Sequence, residues 1–170
     1  MGGVTSTNAL TLSGALADRD AWSAGGVCSI ERTLAVVGTR SAMLLLREAY
    51  YGARRFDDLA HRAGITEAAA ATRLKQLVES GVMRLEPYRE PGRRTRNEYV
   101  LTERGRELFP VIVALMQWGD AHLSDVPGGP IRLSHAGCGA EVGVAVRCAA
   151  GHDVGLEETV ASANSASAKS

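Results

Sequence analysis

Apolar residues recur at helical spacing in four successive segments of the chain, and glycine ends most of these segments. The pattern predicts helices over residues 29–38, 39–52, 56–63 and 66–81. The inner stripe of the fourth helix is Ala70, Leu74, Leu77 and Val78. Thr66 is its expected N-cap, and a short turn containing Gly64 joins it to the third helix. The third and fourth helices therefore predict a helix-turn-helix arrangement.

Two short strands with a basic segment between them follow the fourth helix. Residues 82–86 and 97–101 alternate between apolar and polar side chains, which is typical of strands. The connecting PYREPGRRTR contains a Pro-Gly turn and four arginines, so the segment predicts a β-hairpin with a long basic tip. A helix-turn-helix followed by such a hairpin is a winged helix. We therefore predict a mainly α fold with a small β-hairpin wing and a small β-rich C-terminal appendage.

A last long helix is predicted from an N-cap at Thr102 to about Leu123, with Pro110 as the place for a kink. Its apolar surface is too wide for one small core to bury. The residues that form this surface are Leu108, Val111, Ile112, Leu115, Met116 and Trp118. A helix of this kind usually buries the surplus in a second chain, so we expect a homodimer built from this helix and the first one.

The formal net charge is zero, but the charges are unevenly distributed. The segment from Arg40 to Arg106 contains 14 basic and 9 acidic residues, a net charge of +5. The remainder contains 5 basic and 10 acidic residues, a net charge of −5. A basic middle region in a neutral protein predicts an anionic partner for that region alone.

Several classes of protein are not expected from this sequence. No apolar run approaches the ~20 residues of a membrane span, and MGGVTSTNALTLSG lacks the basic and apolar regions of a secretory signal. We therefore expect a cytoplasmic protein whose three cysteines are thiols or metal ligands rather than disulfides. The sequence has no nucleophile–base, phosphate-loop or paired-carboxylate motif, so we do not expect an enzyme.

Three stretches of the chain carry a resemblance to a known family. They are CSIERTLAVVGTRSAMLLLREAYYGARRFDDLAHR, ITEAAAATRLKQLVESGVM and EYVLTERGRELFPVIVALMQW. Their most specific pieces are Cys28 before Ile30-Glu31, Gly-x-Arg-Arg-Phe at 52–56, Arg73-Leu74 and Tyr99-x-Leu101-Thr102. From about Cys28 to Leu123 the chain resembles the HxlR family of bacterial transcription regulators, relatives of the MarR group. One departure is Thr39-Arg40-Ser41 after Gly38, where the family commonly has Lys-Trp.

The resemblance implies a homodimer that binds double-stranded DNA and regulates transcription, more often as a repressor than as an activator. On this basis residues 27–124 form the winged-helix DNA-binding and dimerisation domain. Composition predicts a flexible N-terminal arm at 1–26, a linker at 125–130, a small Cys/His-containing β unit at 131–156 and a disordered tail at 157–170.

The predicted DNA contacts lie on three segments. The fourth helix is expected to enter the major groove, and its candidate contacts are Thr66, Glu67, Ala71, Thr72, Arg73 and Lys75. The wing is expected to contact the backbone or minor groove through Arg93, Arg94 and Arg96. Arg54 and Arg55 are placed either to contact phosphate or to pair with Asp57 and Asp58. The alternative for the wing is a solvated loop whose charges only aid solubility.

Cys28 is a candidate redox-sensing thiol. It stands just before the first helix, where the positive end of a helix favours a thiolate. The resemblance implies a sensing cysteine at this position in several family members, acting by disulfide formation between subunits or by reaction with electrophiles. The alternative is a small buried residue that packs at the dimer contact.

The C-terminal unit contains a candidate metal site. His135 and Cys138 form a His-x2-Cys pair, and Cys148 and His152 form a Cys-x3-His pair. Two histidines and two cysteines could give a tetrahedral zinc site. In this alternative the protein is a ligand- or metal-sensing regulator, and residues 131–156 are the sensor of a small-molecule or metal effector. The alternative is a metal-free hairpin packed on the long helix through Val142, Val144 and Val146.

Overall fold

The computed structural model describes residues 9–20 and 28–164. The described residues divide into two compact units: one is formed by residues 28–144, and the other combines residues 9–20 with 145–164. The elements in chain order are β1 (Thr11–Ser13), a 3-10 turn (Gly14–Ala17), α1 (Ser29–Val37), α2 (Arg40–Tyr50), α3 (Phe56–Ala63), α4 (Glu67–Glu79), β2 (Met83–Tyr88), β3 (Arg96–Leu101), α5 (Glu103–Arg106), α6 (Phe109–His122) and β4 (Val160–Ser162).

The core of the larger unit lies where α2, α3 and α4 pack together. Its fully buried side chains are Val37, Leu45, Leu46, Leu59, Leu74, Leu77, Val82, Met83 and Val113. The predicted inner stripe of α4 is confirmed, because Ala70, Leu74 and Leu77 are buried and Val78 packs against the core. Burying one apolar side chain of this size stabilises the fold by roughly 1.5–3 kcal/mol, so this stripe fixes which face of α4 remains outside.

Side-chain caps and one left-handed glycine set the boundaries of the helix-turn-helix. The Thr66 hydroxyl accepts the Ala69 N–H at 3.3 Å, as the sequence predicts. Gly64 ends α3 with φ of 62°, a conformation that favours glycine, and the chain then enters α4 after two residues. The predicted helix-turn-helix is therefore confirmed.

The wing is the antiparallel hairpin of β2 and β3, with Met83 opposite Leu101 and Tyr88 opposite Arg96. Both strands are longer than the alternation of side chains indicates, so the turn that we call the wing tip spans residues 89–95. Gly92 has φ of 76° in this turn. The mainly helical winged-helix fold with a small hairpin is thus confirmed.

The predicted single helix from Thr102 to Leu123 is wrong, because the structure has α5 and α6 with a break at Glu107 and Leu108. Pro110 explains the break. Proline lacks the backbone N–H that a continuous helix needs, and its ring disfavours the helical conformation of the preceding turn. It is tolerated in the first turn of a helix, which is where it lies in α6.

The smaller unit contains a parallel two-stranded sheet in which Thr11 is opposite Val160 and Ser13 is opposite Ser162. This differs from the flexible arm predicted for residues 1–26 and from the disordered tail predicted for 157–170. The two strands are near opposite ends of the chain, so no local sequence pattern predicts their pairing. Residues 1–8, 21–27 and 165–170, which belong to the same predictions, lie outside the described residues.

The segment 131–156 also differs from the prediction of one β unit. In place of extended strands it has two isolated antiparallel bridges, Ser134 with Glu141 and Arg147 with Asp153. The boundary between the two compact units falls inside it, between Val144 and Ala145. Glycine is frequent here, and it disfavours extended strands.

Among the helices of the described residues, none has the length and apolar character of a membrane-spanning segment.

Candidate nucleic-acid interface

The outer face of α4 is built from small and polar side chains. The residues exposed on it and at its N-cap are Thr66, Glu67, Ala68, Ala69, Ala71, Thr72, Lys75, Gln76 and Glu79. Five of the six predicted contacts on this helix are therefore exposed. Small side chains allow the helix backbone to approach another surface closely, and an α-helix fits the major groove of B-DNA.

Two of the polar groups on α4 already have partners within the helix. The Thr72 hydroxyl donates to the Ala68 carbonyl at 3.0 Å, and Lys75 Nζ lies 3.7 Å from Glu79 Oε1. Both contacts are exposed and local, and surface pairs of this kind contribute little to stability. They can be exchanged for contacts with a ligand at a small energetic cost.

Arg73 is placed differently from the other predicted contacts, because it is half-buried. Its Nε is buried and has no hydrogen-bond partner among the described residues, while Nη1 donates to Gln76 Oε1 at 2.5 Å. A buried donor without an acceptor is unfavourable by about 1–3 kcal/mol. The base-reading role of Arg73 stays a prediction, and it requires this side chain to turn outward.

The wing carries the exposed basic side chains that the sequence predicts. Arg93 and Arg94 lie in the wing tip and Arg96 begins β3, and all three are exposed. Arg93 Nε is 3.7 Å from Glu90 Oε2, a contact long enough and exposed enough to be weak. Guanidinium groups on an exposed turn are suited to phosphate oxygens, which they can bind with two hydrogen bonds.

One of the two sequence interpretations paired Arg54 and Arg55 with Asp57 and Asp58. The structure gives these arginines other partners. Arg54 instead forms ion pairs with Glu86 and Glu98 in the hairpin, and Arg55 pairs with Glu90. Sequence reasoning missed these three glutamates. The signal was available in the predicted strands, since Glu86 and Glu98 fall opposite each other in the hairpin and two facing carboxylates need a cation nearby.

Cys28 is the N-cap residue of α1 and is half-buried. Its carbonyl accepts the Arg32 N–H at 3.0 Å, and its side chain makes no capping hydrogen bond. Cys28 therefore directly precedes the first turn of a nine-residue helix. This is the local setting that the sequence predicts for a sensing thiol, and the sensing itself stays a prediction.

The four candidate metal ligands form two local pairs. In the larger unit, His135 Nδ1 is 3.2 Å from Cys138 Sγ. In the smaller unit, backbone N–H groups of His152 and Ala150 lower the pKa of the exposed Cys148 thiol. Among the described residues, no group of three or more His, Cys, Asp or Glu side chains is placed to hold a metal ion. Zinc binding by the four residues stays a prediction.

An exposed apolar surface accompanies α1 and α6. On α1, Ile30 is 71% exposed and Leu34 is 56% exposed. On α6, Phe109, Val111, Leu115 and Trp118 are exposed, with Leu115 at 53% and Trp118 at 59%. Large apolar side chains exposed in such numbers on two helices are typical of a surface that binds a partner. We call this set of six residues the apolar face.

Comparisons with known proteins agree with this fold. The HxlR-like helix-turn-helix family matches residues 36–127 of the chain. An uncharacterised HTH-type transcriptional regulator of Mycobacterium tuberculosis, Rv3095, is 48% identical over 111 residues, which are 65% of this chain and 69% of the relative.

Two solved structures are similar to this chain, and they cover different shares of it. The crystal structure of PA1607, a candidate transcription factor, has a TM-score of 0.71 and 34% identity, and it covers 80% of this chain and 94% of that one. The redox regulator HypR in its oxidised form has a TM-score of 0.52 and 30% identity, and it covers 58% of this chain and 100% of that one.

Proposed function

We propose that this chain, which belongs to the HxlR-like helix-turn-helix family and is a DNA-binding transcriptional regulator, acts as a homodimeric repressor. In this proposal α4 enters the major groove of a duplex, and the wing tip contacts the adjacent backbone or minor groove. The observation that carries it is an exposed α4 face of small and polar residues beside a hairpin with five exposed arginines, of which Arg93, Arg94 and Arg96 are the proposed contacts.

The charge distribution supports this assignment of the DNA contacts. The excess of basic residues is confined to the segment from Arg40 to Arg106, which contains α2, α3, α4 and the wing. Contacts between guanidinium groups and phosphates position a protein on DNA, whereas contacts to base edges supply the sequence preference. Because α4 has few long polar side chains on its exposed face, we propose that DNA shape contributes much of the specificity.

The apolar face supports the homodimer. A second copy placed on Leu34, Leu115 and Trp118 would remove side chains from water that are each more than half exposed. Symmetric dimers of helix-turn-helix proteins present two reading helices to half-sites about 34 Å apart, one turn of DNA. A dimer bound in this way excludes other proteins from its site, which is the argument for repression.

Capture of genomic fragments by the purified protein, followed by sequencing, tests the proposed function. We expect the enriched fragments to share an inverted repeat whose half-sites are centred about one helical turn, or about 34 Å, apart. The Arg93→Ala/Arg94→Ala/Arg96→Ala variant is the matched control in the same capture experiment. It should recover far less genomic DNA than the wild-type protein. Equal recovery of all fragments by the wild-type protein at about 0.15 M salt would contradict sequence-specific binding.

A redox-responsive regulator is a second candidate function, favoured by the position of Cys28 and the similarity to the redox regulator HypR. A peroxide would transfer one oxygen atom to the Cys28 thiolate, giving a sulfenic acid. The departing hydroxide or alkoxide then takes up a proton. The added oxygen at the start of α1 would lie close to the apolar face that we propose for the dimer.

We expect peroxide to weaken DNA binding by the wild-type protein about tenfold and to leave Cys28→Ser unaffected, since the serine hydroxyl is not oxidised. Fluorescence anisotropy with a labelled duplex measures both proteins before and after treatment. Cys138→Ser and Cys148→Ser are the matched controls, because both thiols are exposed and neither lies near α1 in sequence. Loss of DNA binding by oxidised Cys28→Ser would exclude this thiol as the switch.

A further inference from the structure

Arg54, two residues before α3, is bonded to both strands of the wing. Its Nη2 lies 3.0 Å from Glu86 Oε2 in β2 and 2.8 Å from Glu98 Oε1 in β3. Its backbone carbonyl also accepts the Tyr99 N–H at 2.7 Å. One residue therefore connects the start of the helix-turn-helix to the hairpin by side chain and by backbone.

The two glutamates share this cation, and Glu86 also pairs with Arg84 of its own strand. Glu86 and Glu98 are directly opposite each other in the antiparallel register. Like charges in this arrangement destabilise a hairpin, and the Arg54 guanidinium between them replaces one repulsion with two attractions. The side chain of Glu98 is only 18% exposed, so its charge is partly removed from water and interacts more strongly with its partner than a surface charge would.

Arg55 adds a second connection further along the hairpin. Its Nη2 is 2.7 Å from Glu90 Oε1 at the beginning of the wing tip. Its guanidinium carbon lies 4.9 Å from the centre of the Tyr88 ring, a cation–π distance. The two arginines thus contact the hairpin in the middle of its strands and at the start of its tip.

We propose that Arg54 and Arg55 are positioning residues that hold the wing against the start of α3, so that the wing tip meets DNA in one orientation. The inference rests on the proposed function and deepens it, because it assigns to Glu86, Glu90 and Glu98 a role in DNA binding without a DNA contact. Fixing the hairpin before binding removes part of the ordering entropy that a loose wing would lose on the duplex.

The direction in which a charge substitution changes DNA affinity distinguishes a positioning role of Arg54 from a contact between Arg54 and phosphate. Removing carboxylates beside a DNA-binding surface ordinarily strengthens binding, because it reduces repulsion from phosphates. If Arg54 holds the wing, Glu86→Gln/Glu98→Gln instead weakens DNA binding about three- to tenfold, as measured by fluorescence anisotropy. The control is Glu79→Gln on α4, whose carboxylate contacts Lys75 and not the hairpin, and which should leave binding unchanged or stronger.

A double-mutant cycle completes the test in the same assay. Arg54→Ala added to the paired glutamine variant should produce little further loss, because its partners are already absent. If Glu86→Gln/Glu98→Gln binds DNA more tightly than wild type, or if Arg54→Ala has its full effect in that background, Arg54 acts on DNA directly and the inference is overturned.

Hydrogen exchange of the free protein keeps the inference separate from the proposed function. Amides of residues 83–101 should exchange faster in Glu86→Gln/Glu98→Gln than in wild type, while those of α4 should be unchanged. Unchanged exchange in the hairpin would overturn the positioning role whatever the DNA result. Faster exchange in the hairpin of a protein that binds no duplex would support the positioning role and contradict the proposed function.

Discussion

Replacing Arg93, Arg94 and Arg96 with alanine is expected to weaken DNA binding at least 100-fold at about 0.15 M salt. A dimer with these substitutions loses six guanidinium groups, and each phosphate contact contributes through the release of a condensed counterion. The loss should be similar on specific and random duplexes, because contacts to phosphates carry no base information. Fluorescence anisotropy with one captured fragment and one scrambled fragment measures both.

The matched control for the wing variant removes the same charge from other parts of the chain. Arg19→Ala/Arg132→Ala/Arg147→Ala changes three exposed basic residues that lie outside the segment from Arg40 to Arg106. It should weaken binding only slightly, through the smaller overall charge. An equal loss in both triple variants would mean that net charge, and not the wing, determines DNA affinity.

Substituting Leu115 with glutamate is expected to convert the dimer to a monomer and to weaken DNA binding about 100-fold or more. A buried carboxylate without a partner is strongly unfavourable, so the second copy cannot cover the apolar face. A monomer engages one half-site, and the loss of the linked second contact removes a factor of roughly 10²–10⁴ in affinity. Light scattering at micromolar concentration gives the mass, and anisotropy gives the affinity.

Leu156→Glu provides the matched control for this prediction. Leu156 is 52% exposed and Leu115 is 53% exposed, so both substitutions place a new carboxylate at a half-exposed leucine. The Leu156 variant should remain a dimer with wild-type affinity. Leu34→Glu on α1 should behave like Leu115→Glu. A dimeric Leu115→Glu variant would show that the apolar face does not form the dimer.

The helix-turn-helix and the wing could be predicted because their signals are local. The stripe Ala70, Leu74 and Leu77 repeats at helical spacing, and Gly64 ends α3 in the conformation that its residue type favours. The break before α6 was readable from Pro110 as well. The sequence predicted only a kink at Pro110, because the apolar pattern continues across the break and does not show where one helix ends.

Other features depend on residues that are distant in sequence or on the direction of one side chain. The pairing of Thr11–Ser13 with Val160–Ser162 joins segments that have no common pattern. Arg54 is three residues from Asp57 in sequence, yet the fold brings Glu86 and Glu98 to its guanidinium. Periodicity places Arg73 near the outer face of α4, but it does not reveal that its Nε is buried.

The salt dependence of DNA affinity tests most directly whether α4 and the wing bind the same DNA duplex together. Affinities of the wild type and of Arg93→Ala/Arg94→Ala/Arg96→Ala are measured on one captured fragment between about 0.05 and 0.2 M salt. We expect the logarithmic slope of the variant to be smaller in magnitude by about 3–5, since a dimer loses up to six phosphate contacts worth about 0.9 each. Parallel slopes for the two proteins would contradict a wing that contacts DNA.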